Sequence, residues 1–344
     1  MGRSSMSGFQ TAIAFFVFNR PQTTQQVFAV LRSLRPQKLL IVSDGPRPNH
    51  PDDQENCAHV QTIFETLDWD CELAFNLATE NLGCSQRFAT GLDWVFSQVE
   101  EAIILEDDCL PGLSFFRFCE ELLEEYRDNP QVTQICGTNR LYEWKSAQQS
   151  YHFAYYGSAW GWATWKRAWN RYDHNRQGWH EEAVQAQIRQ LIDDEEQFAY
   201  FAKTCEIDMW DYKWSFAQLS QAGLTIIPAI NLVKNIGFSR QATHTKGLSL
   251  THINSTFQPG QMTFPLMAPT SIAVDREYNQ NHFQFSLGRP TLNAAEDIAA
   301  RLLKEGNLIS AYVAIQHLSS LYPGSEKIKS AQKDLLIALR QQKK

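Results

Sequence analysis

Four short apolar runs punctuate the first third of this 344-residue chain, at residues 12–18, 38–43, 71–75 and 102–105. Each is too short for a buried helix, and each is followed by a turn signal or an amphipathic stretch, so each reads as a strand, the first of them buried. Pro21, just past the first run, opens a helix to about residue 34, and further helices are expected over 55–67 and 85–98. Such alternation dictates a mostly parallel α/β sheet flanked by helices, whose ligands gather at the carboxyl ends of the strands. Beyond this part the order is less regular, and residues 142–180 hold six of the ten tryptophans. Helical periodicity returns at 181–203 and 209–222, with a strand at 224–227. Residues 256–290 are weakly patterned and read as a linker or wrap-around tail; residues 291–344 read as an accessory segment of two or three helices, broken at Pro323-Gly324. Residues 1–255 are then the principal domain.

Hydrophobic residues at 43% and charged residues at 20% are ordinary globular usage, which excludes a disordered or fibrous chain. Basic residues number 31 against 38 acidic ones, a net charge of −7, so a general nucleic-acid footprint is excluded as well. The 12% of aromatic residues suits sugar stacking as much as core packing. Seven scattered cysteines with no C-x-x-C pair speak for buried thiols in a reducing compartment, and a cytoplasmic location is the expectation. The apolar run after Arg3 leads straight into Asn19-Arg20-Pro21 with no small-residue cleavage site, so it reads as a strand and not as a signal peptide. No transmembrane helix is expected, while peripheral contact with a membrane is compatible with the composition.

Glu106-Asp107-Asp108 is the sharpest chemical feature. Three acids in succession after an apolar strand repel one another unless a cation shares them. A hard divalent ion takes oxygen ligands and binds substrate phosphates through only one or two carboxylates. The bland alternative is a solvated acidic turn, the reading that suits Asp193–Glu196 inside a helical stretch. Asp68-Trp69-Asp70 precedes a strand instead of following one, which is the wrong end of the sheet.

The order FFVFNRP, IVSDGP, NLGCSQRFATGLDWVF, IILEDDCLPGLSFFRF and SAWGWATWKRAW, over roughly residues 11–250, resembles GT-A nucleotide-sugar glycosyltransferases. It is most similar to a bacterial group labelled HlpA-type, and less so to the N-acetylglucosaminyltransferases of complex glycan branching. The resemblance implies a GT-A fold, a UDP-sugar donor such as UDP-GlcNAc, a glycan or polysaccharide acceptor, and Mn²⁺ or Mg²⁺. It implies Asp108 as metal ligand, with Glu106 and Asp107 toward the ribose or a metal-bound water. Asp44 stands where such enzymes contact the uracil edge, with a turn cap as its alternative. Asn19, Arg20 and Arg87 are nucleotide or phosphate candidates, each with a surface or helix-face alternative. Trp160 and Gly161, within Ser158–Trp162, resemble the loop flanking the sugars, where indole faces stack. Asp211 is the first candidate for the catalytic base and Asp208 the second, because Tyr212 stands where the family's motif has an acid. His244, in a segment resembling the closing loop, is a candidate metal ligand or diphosphate donor.

Two other functions remain open from sequence. A nucleotidyltransferase making nucleotide sugars has a similar sheet, but needs a Gly-rich phosphate loop where this chain has FNRPQTTQQ. A non-catalytic carbohydrate- or protein-binding module would make the helical tail the working part.

Overall fold

The computed structural model describes residues 8–237, 258–304 and 308–341. The four expected strands form in place: β1 (Ile13–Val17), β2 (Lys38–Ser43), β3 (Glu72–Leu77) and β4 (Glu101–Glu106). Between them lie α1 (Pro21–Leu34), α2 (Pro51–Glu65) and α3 (Cys84–Gln98). There follow β5 (Cys109–Pro111), α4 (Leu113–Glu125), β6 (Val132–Cys136), β7 (Tyr151–Ala154), β8 (Trp162–Trp165) and a short α5 (Lys166–Trp169). Next come α6 (Glu182–Ile192), α7 (Glu195–Cys205), α8 (Trp210–Leu219), β9 (Leu224–Pro228) and β10 (Val233–Asn235). The order ends with α9 (Arg276–Ser286), α10 (Leu292–Lys304), α11 (Leu308–Leu321) and α12 (Glu326–Gln341).

Eight strands make one sheet in the order β3-β2-β1-β4-β8-β6-β9-β7. The first four are parallel neighbours, β8 runs against both β4 and β6, β9 is parallel to β6, and β7 is antiparallel to β9. Alternate residues of β1 serve two cores. Ile13, Phe15 and Val17 pack with α1, α2 and α4, whereas Ala14 and Phe16 pack with α3 and α8. This is the mostly parallel α/β class with a C-terminal helical extension that the strand–helix alternation dictates. Among the described residues no helix is long and apolar enough to cross a membrane.

Three expectations needed adjustment. The helix expected over 181–203 is two, because Asp193 takes a left-handed conformation that ends α6 and Asp194 then caps α7 by accepting from the Gln197 amide. Strands β6, β7 and β8 were not marked out in the sequence. Part of the expected linker is the ordered helix α9, fastened to the sheet where the Asp275 amide donates to the Phe153 carbonyl at 2.7 Å. Helices α10 to α12 close a core of their own around Ile298, Leu302, Ile315, Leu318 and Leu335, which Phe285 of α9 joins.

The α9 contact buries two histidines. His152 of β7 lies 4.2 Å from the Tyr278 ring and His282 of α9 lies 5.7 Å from it, centroid to centroid. Neither ring nitrogen of either histidine has a partner among the described residues. Desolvation pushes both pKa values down to about 3. Folded, they stay neutral far below the pH near 6.5 at which the unfolded chain protonates them, so their share of stability is present above pH 6.5 and lost as pH falls. Between pH 6.5 and 5 the loss is expected to be roughly 2 kcal/mol per histidine. Denaturant unfolding of a His152→Leu/His282→Leu variant should show that much less acid destabilisation than the parent, and an unchanged pH slope would contradict the burial argument.

Candidate functional site

A cavity of about 870 Å³ opens at the carboxyl ends of β1, β2 and β4. The parallel pairing of β1 with β4 sets Glu106 beside Phe16, so the acidic triplet leaves the sheet exactly where β1 ends. Asp107 Oδ2 accepts from the Phe18 amide at 3.1 Å, and Arg20 donates to Asp107 Oδ1 at 3.2 Å and to Asp108 Oδ2 at 2.6 Å. Behind Asp108, β5 pairs with β10, and the Ile236 amide donates to the Asp108 carbonyl at 2.7 Å. Gly237 then passes so close that any β-carbon there would run into the Asp108 carboxylate.

Burial raises the pKa of Asp107 to about 7, with the Arg20 charge pulling against it and Asp108 adding to it. Burial also holds Glu106 well above the carboxylate range, reinforced by Asp108 and Asp107. One guanidinium therefore does not satisfy three carboxylates, and the cluster favours further positive charge. Among the described residues no group of three or more His, Cys, Asp or Glu side chains is arranged to hold a metal ion alone. Among the described residues, however, Asp108 Oδ1 has only a 3.3 Å amide contact from Asn235 and a weak thiol donor, Cys109. That donor set suits a hard divalent ion bound jointly with a diphosphate, not one held by protein ligands only.

On the other side of the cavity stands Asp211, in the first turn of α8. Its position is fixed by a ring stack: Phe16 of β1 on Phe88 of α3 at 4.3 Å, and Phe88 on Trp210 of α8 at 4.4 Å. Desolvation raises the Asp211 pKa, with the Arg140 charge and backbone amides opposing. Asp208 also lines the cavity but is exposed and ion-paired to Lys213 at 2.6 Å, whose hydrogen bond lowers its pKa. The geometry thus gives the two acids different environments: desolvation raises the pKa of Asp211, whereas the Lys213 contact lowers that of Asp208.

The remaining sequence candidates divide. The Asp44 carboxylate accepts four hydrogen bonds, from the Gly45, Leu82 and Gly83 amides and the Asn81 side chain, all at 2.9–3.1 Å. Its acceptor capacity is used up in shaping the turn before α3, so the turn-cap alternative describes it and a uracil contact would have to displace one of these donors. Arg87 is buried and donates Nε to the Ser43 carbonyl and Nη2 to the Asn76 carbonyl and side-chain oxygen, tying the ends of β2 and β3 together; it stands as a strap within the cavity wall. Asn19 is outside the lining and donates to Asp53 at 2.6 Å, which also holds Arg47. Arg47, absent from the sequence candidates, lines the cavity and lies over the Phe18 ring at 5.5 Å. Trp160 lines the cavity while Trp162, Trp165 and Trp169 are core. Gly161 has φ +64° and its β-carbon would meet Val233 at 2.8 Å, so it serves the close packing of β8. His244 lies outside the described residues. Lys213 and Asn235, also absent from the sequence candidates, line the cavity as well.

Among solved structures the chain is similar to mouse xyloside xylosyltransferase 1 in its apo form, with 10% identity over 61% of this chain and 81% of that one, at a TM-score of 0.33. It is also similar to UDP-glucose pyrophosphorylase complexed with UDP-glucose, with 11% identity over 42% of this chain and 62% of that one, at a TM-score of 0.24. Likenesses of this size fix neither a reaction nor a substrate. No protein-family model and no curated protein matches the chain.

Asp44→Ala should therefore act on stability. It strands buried backbone donors, and a loss of roughly 2–4 kcal/mol is expected from urea unfolding. Full stability together with selective loss of nucleotide binding would make Asp44 a ligand contact instead.

Proposed function

We propose that the chain is a GT-A-like, metal-dependent inverting glycosyltransferase that moves a sugar from a UDP-sugar to a hydroxyl acceptor such as a glycan. The observation that carries this reading is one cavity with a cation-seeking acid cluster at Asp107 and Asp108 on one side and the separate, half-buried Asp211 on the other. Helix α3 begins at the same wall with Gly83 at its N-cap and no side chain capping it, which suits phosphate oxygens. The loop from β1 into α1 has no glycine, which favours transfer over nucleotidyl chemistry. The sequence resemblance points the same way.

In this reading Arg20 and the first amides of α3 orient the diphosphate, and Trp160 offers an indole face to a sugar ring. Asp108 would hold Mn²⁺ or Mg²⁺, which when bound neutralises charge on the leaving diphosphate. Asp211 takes the proton from the acceptor hydroxyl as its oxygen attacks the anomeric carbon and the bond to the diphosphate breaks. Desolvation strengthens it as a base, with backbone amides and the Arg140 charge opposing the rise.

Asp211→Asn should lower kcat by about 10²–10⁴-fold with UDP affinity unchanged, whereas Asp208→Asn should be mild. Because burial raises the Asp211 pKa, activity should fall on the acid side at a pH above that of an exposed aspartate. The reverse order of the two variants would move the base to Asp208. In a thermal-shift panel of nucleotide sugars, stabilisation by UDP should need Mn²⁺ or Mg²⁺ and vanish in Asp108→Ala. Equal stabilisation in EDTA would remove the metal from the proposal.

A further inference from the structure

Arg140 follows the buried Asn139 and is not itself in the cavity lining, but its guanidinium carbon lies 5.6 Å from the centre of the ring of Trp160, which is. Among the described residues, every other arginine that is not exposed makes a hydrogen bond or an ion pair: Arg20, Arg32, Arg47, Arg87, Arg167, Arg171, Arg176 and Arg301. Among the described residues the Arg140 guanidinium makes neither. Its Nε is buried without a partner, while its two terminal nitrogens are not buried. The opposite charge whose field it meets is Asp211, and the two are not ion-paired. The buried Nε keeps its desolvation cost without compensation, and proteins ordinarily match such a group with an acceptor.

The segment carrying Arg140 is held firmly enough to fix it. Asn139 donates to the Pro228 carbonyl at 2.9 Å, and its own amide donates to Asn231 at 3.0 Å. Glu143 pairs with Arg301 of α10, and Lys145 pairs with Asp275 at 2.8 Å. Tyr142 and Lys145 adopt left-handed φ values of 70° and 50°, conformations that persist only where the surroundings impose them. The planar fork of an arginine so fixed matches the paired oxygens of a carboxylate or phosphate.

We propose that Arg140, backed by Trp160, is a recognition site for an anionic group, a carboxylate or a phosphate, on the sugar bound at the Asp211 end of the cavity. This deepens the glycosyltransferase reading and rests on it for the identity of that sugar: the acceptor, or the sugar of the donor. An acidic sugar would stack its ring on the indole and place its oxygens on the fork, which a neutral sugar cannot do.

Ligand-detected NMR on the full chain tests it in two arms. In the first, run with and without UDP, methyl β-D-glucuronide and glucose 6-phosphate are compared with methyl β-D-glucoside. In the second, UDP-glucuronate is compared with UDP-glucose. At least a tenfold preference for an anionic ligand is expected in one arm, in the first if the acceptor carries the charge and in the second if the donor does. Arg140→Met should bring that preference to within twofold, and Arg140→Lys should retain part of it; Arg140→Gln replaces the methionine variant if that does not fold. Equal binding of anionic and neutral ligands in both arms, or a preference that survives loss of the guanidinium, overturns the proposal. Absence of any UDP binding would sink the nucleotide-sugar reading alone, because the first arm without UDP still reads Arg140.

Discussion

Three carboxylates in a row at the end of a buried strand cannot stand without positive charge, and Arg20 supplies it at Asp107 and Asp108. That contact ties the loop after β1 to the loop after β4, and the parallel pairing of those strands keeps the two loops side by side. The β5–β10 ladder and the close approach of Gly237 then hold Asp108 from behind. Since a single guanidinium leaves Glu106 and Asp107 with raised pKa values, the cluster retains an appetite for cations, which is the property a diphosphate site with a shared metal needs.

The second half of the site is set mechanically. The ring stack from Phe16 through Phe88 to Trp210 carries the position of β1 across α3 to the start of α8, so Asp211 is placed against the same strand that places Arg20. Core packing and site geometry are one construction here. The C-terminal helices join it through Arg301 of α10 and Asp275 at the start of α9, which hold Glu143 and Lys145 of the segment that carries Arg140. They are docked on the wall that positions a cavity-side residue.

Strands β1, β2 and β4 were legible because each is apolar on both faces, which leaves a continuous run in the sequence, whereas the edge strand β3 leaves Phe75 and Leu77 exposed. The helix α9 was not, since its buried face includes Asn279 and His282, and polar letters hide the periodicity. Strands β7 and β8 are four residues each and rich in aromatic residues, too short to show a period. In the site, the acidic triplet was legible because its members are consecutive. Asp44 and Arg87 looked equally free for a ligand, but their partners lie far along the chain: Asn81, Leu82 and Gly83 for one, Ser43 and Asn76 for the other. A side chain's unused valence is a tertiary fact. For the same reason Arg47 and Arg140 carried no signal in the sequence, since what marks them is a neighbour in one case and the lack of one in the other.

The most direct measurement is a crystal structure of the full chain grown with UDP and Mn²⁺. Density for the diphosphate should lie against Arg20 and the start of α3, with the metal about 2.0–2.2 Å from a carboxylate oxygen of Asp108 and Asp211 facing the open side of the diphosphate. A diphosphate bound elsewhere, or one in this cavity with the Arg20–Asp108 contact unbroken and no metal at Asp108, would contradict the assignment of the acid cluster.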